Sequence, residues 1–125
     1  MSPTVEQRRG VTVLTFRADG PTVATDSDAV DLIAQTYGYQ PDLVVVPAER
    51  FGDDFFTLST RVAGEIVQKF VNYGLRLAII GDISRHLTAS SALRDYVRET
   101  NRGRQVWFVA DLDELDAQLE RVERR

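Results

Sequence analysis

The residues of this 125-residue chain best suited to chemistry are Asp53, Ser59, Thr60, Asp82, Ser84, Arg85 and His86. Asp82 follows Gly81 at the end of an apolar run, where a carboxylate can be a metal ligand, a phosphoacceptor or a general base. The plainer alternative is a turn cap, or an ion pair with Arg85. His86 is the only histidine and could be an acid, a base or a phosphate contact, or merely solvated. Ser59-Thr60 precede a helix-periodic stretch. They could cap it, or could hold an anion or accept a phosphate where the helix dipole favours one. Together these residues make a candidate ligand or phosphate site.

Composition narrows that chemistry. With no cysteine, disulfides, zinc ribbons, cysteine nucleophiles and iron–sulfur clusters are excluded. One histidine cannot supply a two- or three-histidine zinc site within one chain. No Gly-x-Gly-x-x-Gly, Walker loop or Gly-x-Ser-x-Gly elbow occurs. No nucleophile–base pair can be named, so no catalytic residue, metal or cofactor is expected. Phe51, Phe55 and Phe56 cluster in one connection, as a lid over the core or as partner contacts. Asp111-x-Asp113 weakly resembles the nucleophile motif of haloacid-dehalogenase phosphatases, but Asp111-x-x-Glu114 is also a helix-capping pattern.

The formal charge is −4, from 15 basic and 19 acidic residues, which opposes non-specific nucleic-acid binding. Arg94, Arg98, Arg102 and Arg104 alternate with Asp95 and Glu99, the pattern of a solvated helix face. Glu65 and Lys69 are spaced for a surface ion pair. No stretch approaches the roughly 18 apolar residues of a membrane span, and the first residues lack the apolar segment of a secretory signal. A cytoplasmic location is the expectation.

The elements that must position these groups alternate. Residues 1–10 are polar and are expected to be a flexible N-terminus, with residues 11–125 a single α/β domain. Strands are predicted at 11–16, 42–47, 75–80 and 105–110. The first is followed by a tight turn at Asp19-Gly20 and a short returning strand at 21–24. Helices are predicted over about 27–37, 59–73, 91–101 and from 112 onward, with Arg121, Arg124 and Arg125 suiting the last helix's negative end. Gly81–Ser91 is left as a polar connection. Continuous apolar runs such as Leu43-Val44-Val45-Val46 suit strands covered on both faces. The pattern predicts a mostly parallel sheet of four to five strands with about four helices. Ligands in such sheets bind beyond the carboxyl ends of the strands, where Asp53, Asp82, Arg85 and His86 are expected.

Phe55-Phe56-x-Leu58-Ser59-Thr60, Ala63-Gly64-Glu65-Ile66-Val67-Gln68-Lys69-Phe70, Leu77-Ala78-Ile79-Ile80-Gly81-Asp82 and Val106-Trp107-Phe108-Val109 resemble the bacterial domain-of-unknown-function family 4180 over about residues 11–120. The resemblance implies a glycine where this chain has Arg61, which weighs against an anion site made of backbone alone. It implies no activity. More distantly, the element order is similar to STAS domains, the fold of anti-sigma-factor antagonists. That likeness implies phosphorylation near the helix start that holds Ser59-Thr60.

Two functions follow as expectations. The first is a small non-catalytic binding or regulatory module of STAS-like architecture acting through a protein partner, with Phe51, Phe55 and Phe56 as contacts and a homodimer as one possibility. The second is a small-ligand binder or small enzyme with a polar crevice at the strand carboxyl ends.

Overall fold

Four parallel strands follow one another across the sheet in chain order, with one antiparallel strand added at the edge. The computed structural model describes residues 3–123, with Glu123 described by its backbone only. The strands are β1 (Thr4–Arg8), β2 (Val11–Thr15), β3 (Leu43–Pro47), β4 (Arg76–Ile80) and β5 (Val106–Val109). The helices are α1 (Asp26–Ala34), α2 (Val62–Asn72), α3 (Ser84–Ala89), α4 (Ser91–Arg102) and α5 (Leu112–Glu123). The chain is thus a single α/β domain with a mostly parallel five-stranded sheet and four main helices, α3 being one short extra turn. Arg124 and Arg125 lie outside the described residues.

Right-handed crossovers that always step to the next strand must all pass over the same face. Accordingly α1, α2 and α4 pack Leu32, Ile66, Phe70 and Leu93 against Leu14, Val44, Leu77 and Phe108. The opposite face, with Val13, Val45, Ala78 and Trp107, is covered by α5 through Leu115 and Leu119. Arg8 of β1 reaches across to Asp116 of α5 at 2.9 Å. That hydrogen bond raises the arginine's pKa and lowers the carboxyl's. Arg121 closes the far side by donating to the carbonyls of Asn101, Arg102 and Gly103 at the end of α4.

Three elements depart from the sequence expectations. Residues 4–8 are not a loose tail but strand β1, paired with β2 from Thr4↔Thr15 to Arg8↔Val11. The hairpin turn is Arg9-Gly10, both at positive φ (50° and 79°), the requirement of a type I′ turn. Asp19-Gly20 instead leads toward α1, and the short strand expected at 21–24 is reduced to one bridge, Val23↔Phe51. The polar connection 81–91 contains α3, which buries none of its residues and so leaves no periodic apolar signal.

The free edge of β5 is shielded by a side chain. Asn101 accepts from the Phe108 N–H at 2.7 Å and donates to its carbonyl at 3.1 Å, doing for β5 what a neighbouring strand would do. An exposed sheet edge is a template for unwanted pairing. Asn101→Ala leaves both groups without their partner. It is expected to lower stability by about 1–3 kcal/mol in urea titrations, and to raise light scattering on warming.

Candidate functional site

The connection from β3 to α2 builds the floor of a cleft. Arg50 is buried, and its guanidinium donates to the carbonyls of Arg17 and Pro21, both at 2.8 Å. It lies so close to Gly20 that a Cβ there would stand 2.5 Å from it. Thus anchored, the segment turns Phe51, Phe55 and Phe56 inward. Phe51 stacks on Phe55 with ring centroids 4.3 Å apart, and Phe55 meets Phe56 edge-on at 5.0 Å. All three are buried. They form a lid over the core, the first of the two placings expected of them, and leave little of their rings exposed as a contact patch.

The connection after β4 supplies the other wall. Gly81 has φ +142°, and a Cβ there would come within 3.2 Å of the Ala48 Cβ. Asp82 accepts from both the N–H and the hydroxyl of Ser84, which holds its carboxyl below the usual carboxylate range. Arg85 pairs with Asp53 across the cleft at 3.4 Å, both side chains exposed. His86 stacks on Phe56, with ring centres 4.3 Å apart.

Asp53, Asp82, Arg85 and His86 therefore line one cavity of about 480 Å³, with Glu49 and the edges of Phe51 and Phe56. Glu49 was not among the expected site residues; its place beside Gly81 follows from the close packing of β3's end on β4's. Ser84 lines a smaller neighbouring hollow of about 240 Å³ with Asp82. Ser59 and Thr60 are not part of the cleft. They lie in a short 3₁₀ turn, Leu58–Thr60, before α2. The residue flanking α2 is Arg61, at φ 67° and without a side-chain cap bond, while the Thr60 hydroxyl accepts from the Val62 N–H at 3.3 Å. Thr60 ties the turn down by donating to the carbonyls of Asp54 and Thr57. The left-handed backbone at Arg61 is the conformation that favours the glycine implied by the family resemblance.

Asp111 and Glu114 form a reciprocal helix cap, with Glu114 N–H donating to Asp111 and Ala110 N–H to Glu114. The capping alternative is the observed one.

A second concavity, about 650 Å³, runs along the outward stripe of α2. Leu58, Gly64 and Tyr96 form its apolar part, and Asp26, Arg61, Glu65 and Lys69 its charged part. The expected Glu65–Lys69 ion pair is not among the salt bridges of the described residues; Gln68 and Asn72 bond to each other instead, at 2.8 Å. This groove went unread in the sequence because its walls come from separate elements. Its one local signal was a glycine inside a helical pattern.

The family described as Domain of unknown function (DUF4180) matches residues 8–119. The chain belongs to that family. No curated protein and no solved structure matches it, so the STAS-like element order has no counterpart in these comparisons. Among the described residues of this DUF4180 member, no helix is long and apolar enough to cross a membrane.

Gly81→Ala is expected to destabilise by about 1–3 kcal/mol through backbone strain, read as a lower urea midpoint. Because the folded pKa of Asp82 is depressed, its bonds to Ser84 stabilise at higher pH and are lost as pH falls through that depressed value. The Ser84 amide resonance is expected to move only at pH below the ordinary carboxylate range. In Asp82→Asn it should not follow that transition.

Proposed function

We propose that this DUF4180 protein is a small non-catalytic binding module of regulatory type that acts through a protein partner docked along α2. The observation that carries this reading is the α2 groove. Its apolar stretch is ringed by Arg61, Glu65 and Lys69, none of which has an ion pair among the described residues. An apolar centre with a polar rim is the anatomy of a docking surface. By contrast, the charged groups of the β3–β4 cleft are engaged locally: Asp82 with Ser84, Asp53 with Arg85, His86 on Phe56. The one hydroxyl–carboxylate contact among them, Ser84 on Asp82, lies within a single turn.

The similarity of element order to STAS domains supports the regulatory part, as fold-level analogy. Ser59 is the better acceptor for a phosphate, since it is exposed while Thr60's hydroxyl is held by two carbonyls. A phosphate on Ser59 would sit two residues from Arg61, on the groove's rim, where a doubly charged group alters docking. A cytoplasmic setting belongs to the same proposal.

A second reading, a small ligand held in the β3–β4 cleft, is favoured by the convergence of Asp53, Asp82, Arg85 and His86 on one cavity. Tagged protein captured from its own host separates the two. Gly64→Arg fills the groove at a position where nothing lies within 4 Å of the added Cβ, and arginine is a better helix former than glycine. It is expected to lose the bound protein, while Arg85→Ala and His86→Ala retain it. Retention by Gly64→Arg overturns the docking site. A small-molecule mass on the native protein that Arg85→Ala abolishes moves the function to the cleft.

A further inference from the structure

We infer that the partner seated along α2 is a second copy of this chain, packed antiparallel across a twofold axis at Gly64. The inference rests on the α2 groove being the docking surface and adds what occupies it.

Gly64 lies inside α2, where glycine is less favourable than alanine. Nothing stands within 4 Å of where its Cβ would be, so no contact inside the chain requires its smallness. What its smallness permits is close approach from outside.

The charges around it say what approaches. Along the groove, Arg61, Glu65 and Lys69 alternate in sign at four-residue steps, and Asp26 adds a second anion. Two cations and two anions cancel, so a strongly acidic or strongly basic partner gains little. A copy of the same helix is complementary. Arg61 stands three residues before Gly64 and Glu65 one residue after it. When two antiparallel helices cross at Gly64, the heights of Arg61 and the other copy's Glu65 differ by about two residues, or ~3 Å. That is within reach of both side chains. The twofold repeats the pair, giving two equivalent Arg61–Glu65 contacts in an isologous interface. Glu65 is available for this because its expected partner within the helix, Lys69, does not hold it. Gln68 and Asn72 satisfy each other.

The test is the molar mass of the purified full chain by light scattering, with helicity and melting recorded for every variant. Wild type is expected to be a concentration-dependent dimer. Arg61→Glu and Glu65→Arg each set like charges against one another, and each should weaken the dimer about tenfold or more. Mixed together, the two variants should form a heterodimer, because each then meets the opposite charge. Gly64→Arg should be a folded monomer. A wild type that stays monomeric at its highest soluble concentration overturns the second copy. If Gly64→Arg then still loses a captured protein of another kind, the docking surface survives that result. A dimer that Gly64→Arg leaves intact, alongside capture it also leaves intact, overturns both. Failure of the mixed charge variants to associate, with both folded, overturns the twofold register.

Discussion

Everything in this fold depends on the sheet being wound in one direction. Each crossover from β2 to β5 steps to the next strand, and right-handedness then places α1, α2 and α4 side by side on one face. The other face receives no crossover helix. It is closed by α5 alone, which works because α5 is tied at both margins of the sheet: Asp116 to Arg8 on β1, and Arg121 to the end of α4 beside β5. The same winding keeps the strand order from reversing. Doubly wound sheets form a ligand crevice where strand order reverses, and this sheet has no such reversal. Its cleft at the strand ends is made by loops.

Those loops depend on one buried cation. Arg50 has no ion pair among the described residues; its guanidinium is satisfied by the Arg17 and Pro21 carbonyls. A buried charge is tolerable only when its hydrogen-bonding groups are met, and meeting them draws the β2–α1 connection onto the β3–α2 connection. The Val23↔Phe51 bridge follows from that closure, as does the inward turn of the three phenylalanines. The cleft floor is therefore an extension of the core, and the aromatic cluster serves packing.

What could be read from residues alone divides along physical lines. The central strands β3, β4 and β5 were legible because strands covered on both faces are continuously apolar, and α1 and α4 because Thr25 and Ser90 cap them as their types suggest. β1 was not legible: it is a mostly exposed edge strand, so polar residues suffice for it. The choice between Arg9-Gly10 and Asp19-Gly20 as the hairpin turn was set by pairing partners, which no local pattern records. Asp53, Asp82, Arg85 and His86 could be placed together because they follow neighbouring strands. Phe51, Phe55 and Phe56 could be seen as a cluster, but their direction is decided by Arg50. The α2 groove was hidden, since Leu58, Tyr96 and Asp26 meet only when three elements pack.

The two concavities differ in what their charges are doing, and that difference bears on function more than their size does. In the cleft the aspartates bond to Ser84 and Arg85, and the bonds from Ser84 hold the Asp82 carboxyl below the usual carboxylate range. Its contacts hold a turn. Along α2, Arg61, Glu65 and Lys69 hold nothing within the described structure, and the glycine between them leaves room that the chain does not fill. Exposed single ion pairs contribute little to stability, so leaving these charges unpaired costs the monomer little. Their opposite signs around an apolar stretch, however, restrict which surface can cover it. Local contacts account for the charges of the cleft, whereas those of α2 make no ion pair among the described residues.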